Sequence, residues 1–187
     1  MSSLIHIEPW AEDDLALLQA INTPTMRKHV GGAESPEAVL VRHRRYLAFP
    51  GLGAGQMFRI VSTGTGESVG SVGYAERVWR GETVYEMGWN VLPPFQGRGI
   101  AALAARAGAE HAAAAHKHRH LHAFPATDNP ASNAVCRRAG FTLLGECDFE
   151  YPPGTGRFMR SNDWRLDLLM GMALPTSTST VYNTSTP

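Results

Sequence analysis

The chain has 187 residues, enough for one domain with a substantial core, and its 17 Lys+Arg balance its 17 Asp+Glu. That balance leaves no basic excess for nonspecific nucleic-acid binding. Two cysteines, Cys136 and Cys147, are too few for a disulfide framework, no run is apolar for long enough to cross a membrane, and the first residues lack a signal peptide's apolar core. The expectation is a cytoplasmic protein with neither a nucleic acid nor a membrane as partner.

A short strand is predicted at Leu4 to Ile7, then a helix over Glu12 to Ala20, with Asp13 or Asp14 suiting its dipole and Leu15, Leu18 and Ile21 marking its buried face. Gly31-Gly32 loosens the next connection, and Pro36 to Leu47 reads as a second helix burying Val39, Leu40, His43 and Leu47. Strands follow at Gln56 to Ser62, Ser68 to Ala75 and Val84 to Val91, joined by turns at Gly64-Thr65-Gly66 and Arg80-Gly81-Glu82, which makes an antiparallel meander. Pro93 and Pro94 stop the third of these, since neither offers an N–H to a ladder. An alanine-rich helix, Ala101 to Ala115, leads to a parallel strand at His120 to Phe124. Asp128 or Asn129 caps a helix that begins near Pro130 and ends at Gly140. Thr142 to Phe149 and Trp164 to Leu168 complete the sheet as a hairpin, with Tyr151 to Asn162 as a long loop between them. Residues 1–174 form one domain on this reading, and the Ser/Thr-rich residues 175–187 read as a disordered tail.

The chemistry concentrates where the strand ending at Val91 runs through Gln96-Gly97-Arg98-Gly99-Ile100-Ala101 into the alanine-rich helix. Gly97 and Gly99 offer backbone without a Cβ, the helix's first-turn N–H groups lack internal partners, and Arg98 adds charge. Together with the helix dipole they make a phosphate or pyrophosphate site. A nucleotide P-loop is excluded because no Lys-Ser or Lys-Thr follows the glycines. A dinucleotide fingerprint is disfavoured because Ala102 holds the third glycine position and the preceding strand belongs to a meander.

Gln96-x-x-Gly99-x-Ala101, a strand, then Asn129-x-x-Ser132 and a helix ending Gly140-Phe141 resemble the GNAT superfamily of N-acetyltransferases. The resemblance spans about Ile5 to Leu168. Glu86-Met87-Gly88-Trp89 and the Asn-x-x-Ser helix look most like the branch that includes ribosomal-protein N-terminal acetyltransferases. It implies a mixed α/β fold: a mostly antiparallel sheet of six to seven strands, about four helices, and a splayed parallel pair. It further implies acetyl-CoA as donor, an amine as acceptor, direct transfer in a ternary complex, and no metal. The pyrophosphate would sit on the backbone of Gln96, Gly97, Arg98, Gly99, Ile100 and Ala101; Val91 and Leu92 would also belong to the cofactor site, with backbone N–H near Val91, left free where the strands splay, as the oxyanion donor. Asn129 and Ser132 would meet the pantetheine arm. A homodimer is compatible with the sequence, which does not name the acceptor: a protein N-terminus, a lysine or a small-molecule amine. A non-catalytic acyl-CoA-binding sensor or interaction module is the alternative.

Three residues are candidates for catalysis. Alternation puts Val84, Glu86, Gly88 and Asn90 on one strand face. Glu86 is either a general base or a structural glutamate paired to an arginine. Asn90 either orients the acceptor or bonds within the sheet. Cys136 stands seven residues after Asn129, where many relatives have a Tyr whose hydroxyl reaches the coenzyme A sulfur; it is either a proton donor or a small buried hydrophobe. Trp10, Trp79, Tyr151 and Phe158 are candidates for an acceptor groove, and Glu150, Arg157, Arg160 and Asp163 for selecting a charged acceptor. The alternating His116, His118, His120 and His122 lack the Cys or carboxylate partners of a metal centre.

Overall fold

The computed structural model describes residues 4–169, so the expected domain end and the 175–187 tail lie outside the described residues. Seven strands form one sheet in the order β1-β2-β3-β4-β5-β7-β6. These are β1 Ile5–Pro9, β2 Gly55–Ser62, β3 Ser68–Trp79, β4 Glu82–Val91, β5 His120–Ala123, β6 Thr142–Glu150 and β7 Phe158–Asp167. All neighbours are antiparallel except β4 and β5. The helices are α1 Leu15–Ile21, α2 Pro24–Arg27, α3 Pro36–Leu52, α4 Ile100–Ala114 and α5 Pro130–Ala139. Among the described residues there are five where about four were expected, the addition being the single turn α2, whose Thr23 cap accepts from Met26 N. The first predicted helix divides into a 3₁₀ turn at Glu12–Asp14 and α1; buried Asp14 reaches back to the Ala11 N–H at 2.8 Å.

One face of the sheet carries α4. Val72, Tyr74, Tyr85, Met87 and Leu121 pack with Ala104, Ala105, Ala109 and Ala112 into the main core. The small residues let the helix sit close, since a Cβ on Gly108 would come within 3.0 Å of Met87 Cε. The other face carries α1 and α3 at one end, over Trp10, Leu18, Ile21 and Met57. At the far end lies an aromatic group of Phe124, Phe149 and Trp79. Between those two clusters the sheet is open, and the site lies there.

Several predicted boundaries move: β3 runs on to Trp79 and α3 to Leu52. The β6–β7 hairpin is longer than expected, and its connection shrinks to residues 151–157 because β7 begins at Phe158. Leu40, expected in the core, is exposed, while Arg42 is buried on α3 with Val39 and His43.

Candidate active site

The parallel pair β4–β5 is short. Only Tyr85 with Leu121 and Glu86 with His122 are in register, after which β4 runs on to Val91 while β5 stops. The chain leaving β5 passes through Pro125, which has no N–H, and follows β7 instead: Asn162 N donates to Pro125 O (2.9 Å) and Thr127 N to Arg160 O (3.1 Å). Buried Asn133 fixes that departure. Its Nδ2 donates to Ala126 O (2.9 Å) and Asn129 O (2.8 Å), and its Oδ1 accepts from Asn162 Nδ2 (2.7 Å) and Trp164 Nε1 (2.8 Å). Every hydrogen-bonding position of the amide is used. The sequence reading missed Asn133; its signal is a polar residue three before Cys136 on the buried face of α5. The two strands therefore splay, and the β5-facing backbone at the end of β4 is left without a strand partner.

The glycine turn lies at the edge of this wedge. Leu92 N is held by Val69 O (2.9 Å), and Gln96 Nε2 donates back to Val91 O (2.8 Å), pinning the turn to the strand end. Gly97 and Gly99 have φ of +76° and +77°, a region costly for residues with a Cβ, and open space where a Cβ would stand. Gly99 is the N-cap of α4, whose start is anchored in the core by Ile100 and packed by Ala101. Arg98 lies along the rim, donating to Pro94 O (3.0 Å) beside the Phe95 ring. The backbone of Gln96, Gly97, Arg98, Gly99, Ile100 and Ala101 thus forms an open turn ahead of a 15-residue helix, which suits a pyrophosphate.

A cavity of about 630 Å³ opens on the face away from α4. Its floor includes Glu86 and Gly88, and no atom lies within 4 Å of where a Gly88 Cβ would be. One wall is α3, the other Phe124, Phe149 and Tyr151, and the cavity extends to Asn90, Asn129 and Ser132. Glu86 Oε2 accepts from Arg77 Nη1 at 2.9 Å. Arg77 is held in turn by Glu150 O (2.7 Å) and by the Phe149 ring at 4.0 Å. Burial raises the Glu86 carboxyl above the usual carboxylate range, and Arg77 offsets this only in part. Asn90 lines the cavity, and its amide makes no hydrogen bond among the described residues. Asn129 Oδ1 caps α5 through Ser132 N (3.1 Å), leaving its amide nitrogen for a ligand.

The cavity gathers Glu86, Asn90, Asn129 and Ser132 but not Cys136. That residue is wholly buried in the main core, and burial pushes its thiol up to about 12. Of the aromatic candidates, only Tyr151 lines the cavity. Trp10 is buried against His43, Trp79 donates to Asp163 (3.0 Å), and Phe158 is exposed away from it. Of the charged candidates, Glu150 lines the cavity, whereas Arg160 pairs with Glu146 and Asp148 and Asp163 is buried against His122 (2.7 Å). Arg157 donates to Gly31 O (3.3 Å). The histidines scatter among separate carboxylates, Glu76 for His118 and Glu82 for His120, and no group of three metal-binding side chains exists among the described residues. The reading missed Arg27, Arg42, Arg45 and Tyr46, all cavity-lining. For the three on α3 the signal is the spacing of Arg42, Arg45, Tyr46 and Phe49 along one helical stripe.

A splayed parallel pair, a glycine turn ahead of α4 and a cavity spanning both strands thus meet at one place in the fold. Residues 5–142 match the family described as the Acetyltransferase (GNAT) domain, so the chain belongs to the GNAT acetyltransferase family. It is an acetyl-CoA-dependent N-acetyltransferase. No functionally curated protein matches it by sequence. Among solved structures it is similar to an acetyltransferase from Salmonella typhimurium that modifies the N-terminal serine of a ribosomal protein (22% identity, TM-score 0.71, covering 89% of this chain and 96% of the other). It is also similar to spermidine N-acetyltransferase from Vibrio cholerae with CoA and spermine (15%, 0.72, 90% and 98%). AAC(6')-Ib with paromomycin and acetyl-CoA is a third (16%, 0.73, 92% and 99%). None of the helices among the described residues is long and apolar enough to cross a membrane.

Proposed function

We propose that the chain moves the acetyl group directly from acetyl-CoA to a primary amine seated in the cavity, with Glu86 as general base. The carrying observation is the place of Glu86: it is the last β4 residue paired with β5, so its carboxylate lies on the cavity floor where the strands part. The amine nitrogen attacks the thioester carbonyl carbon, and the C–S bond breaks as the tetrahedral intermediate collapses. Glu86 takes the amine proton, and the departing thiolate collects its proton from water. Asn90 is placed to orient the acceptor, and the pantetheine arm runs past Asn129 and Ser132. Cys136 serves as packing. Protein N-termini, lysines and small amines remain alternative acceptors, nucleic acid and membrane are not partners, and a homodimer is compatible with function. Two buried free cysteines agree with a reducing, cytoplasmic setting.

The test is thiol release from acetyl-CoA with an amine panel, for wild type and Glu86→Gln. A general base contributes about 10²–10⁴-fold, so turnover of a lysine-like acceptor falls by that factor at neutral pH. The deficit shrinks as pH rises, because an amine of pKa about 10.4 then deprotonates unaided. In wild type the rate declines as pH falls through the raised Glu86 value, since the protonated carboxyl accepts nothing. Preserved turnover with lowered thermal stability would assign Glu86 to the Arg77 pair alone. Coenzyme A binding without thiol release to any amine would leave only an acyl-CoA-binding module.

A further inference from the structure

The cavity's charges form a pattern that acetyl transfer alone does not require. Helix α3 turns Arg42, Arg45, Tyr46 and Phe49 toward it, and Arg27 joins from α2. Glu34 is the carboxylate for both Arg27 (3.5 Å) and Arg42 (2.5 Å), so one anion serves two cations. Arg42, so paired, is only 5% exposed and lines the cavity, and its solvent-closed Nε has no hydrogen-bond partner among the described residues. Such a buried donor is costly unless something satisfies it. Arg45 is exposed and forms no ion pair among the described residues; its guanidinium lies 6.0 Å from the Tyr46 ring, and its charge also acts on Glu86.

Two of the three carboxylates that line the cavity are already paired with cations. Glu86 is held by Arg77, Glu76 by Lys117 (2.6 Å) and His118 (2.7 Å), and Glu150 accepts from Gly156 N (2.7 Å). The α3 wall is therefore a cationic surface, and among the described residues Glu150, on the opposite wall, is the one lining carboxylate without a cation. Gln96 to Ala101 does not line this cavity, so these arginines stand apart from the turn suited to the donor's pyrophosphate.

We infer that the acceptor is an amine that also carries a carboxylate, and that Arg42 and Arg45 bind that carboxylate while the amine faces Glu86. This rests on the transfer to an amine proposed above. A guanidinium is the side chain suited to a carboxylate, because its N–H groups match both oxygens. The carboxylate keeps its charge when the amine sheds its proton for attack, so binding and reactivity are separated on the acceptor. A free amino acid and a peptide with an acidic side chain near its N-terminus share this chemistry. A polyamine or an aminoglycoside presents further cations to a cationic wall and is disfavoured.

The experiment compares kcat/KM for pairs that differ in one carboxylate, counted per neutral amine. Alanine against alaninamide represents free amino acids. Amidated Ser-Glu-Ala against amidated Ser-Gln-Ala represents peptides, and spermidine is the polycation. The inference expects the carboxylated member of at least one pair to exceed both its partner and spermidine by about tenfold or more, which pair does so naming the source. Arg45→Gln then cuts that ratio about tenfold and Arg45→Glu reverses it. Coenzyme A affinity by calorimetry stays at the wild-type value and reports an intact fold. Equal or better use of the amides or spermidine, or an unchanged ratio in Arg45→Glu, overturns the inference while leaving the acetyltransferase reading in place. If no amine turns over, calorimetry of the same pairs on the CoA-loaded protein decides. Carboxylate-dependent binding lost in Arg45→Glu supports the site, and absent or carboxylate-independent binding overturns it.

Discussion

Gly99 is the position at which the donor site can be tested with its two contributions separated. Its φ of +77° lies in the left-handed region, where a Cβ costs about 1–2 kcal/mol, least for Asn and Asp. Nothing stands within 4 Å of the added Cβ, so no clash accompanies that strain. Gly99→Asn and Gly99→Asp then share nearly the same backbone cost and volume and differ by one charge. A carboxylate about 4 Å from one phosphate charge is repelled by ~1 kcal/mol in bulk water and ~4 kcal/mol at the effective dielectric of a protein surface. It would also oppose the dipole of the α4 N-terminus. Coenzyme A affinity should fall more than about tenfold (about 1.4 kcal/mol) from the Asn to the Asp variant. The assay is calorimetric titration with coenzyme A, alongside thermal unfolding to show that both variants fold. Equal affinities in the two variants would show that no phosphate lies at this turn, and the main structural support for the donor site would fail.

Two further outcomes follow from residues away from the donor turn. Asn133→Ala orphans two donors, the part-buried Asn162 Nδ2 and the buried Trp164 Nε1, and removes a donor from the Ala126 and Asn129 carbonyls; it should cost about 2–4 kcal/mol in denaturant unfolding and weaken coenzyme A binding as the splay relaxes. Stability at the wild-type level would deny that this amide holds β5 away from β4. Cys136→Ala should cost ~1 kcal/mol in stability and leave the pH profile of kcat superimposable on wild type, since the thiol at about 12 cannot produce an alkaline limb near the usual 8.5. A limb that vanishes with a hundredfold loss of turnover would make Cys136 an acid.

The strand, glycine turn and Asn-capped helix could be read from the sequence because each rests on local rules. Proline ends β4, glycine alone tolerates the turn's φ, and Asn129 bonds a backbone N–H three residues away. What escaped the reading has a single physical cause. The start of β7 reads as a loop because Pro152, Pro153, Gly154 and Gly156 precede it, and its own pattern is inverted, with Phe158 exposed and Asp163 fully buried. Asp163 tolerates burial because His122 and Trp79, 41 and 84 positions away, donate to it. The stripe of α3 was misjudged in the same way: Leu40 is exposed and Arg42 buried because Glu34 supplies the charge that makes an interior arginine tolerable. In both places, partners brought in by the fold override the local period, and no window along the chain reveals them. The α3 inversion falls on a wall of the cavity, and the β7 inversion lies behind Phe124 and Phe149 of the opposite wall. That is physically coherent, because charged groups are retained in a protein interior where something must be bound or a wall must be held in place. The side chains that made this sequence hardest to read are therefore concentrated around the place where its acceptor would be chosen.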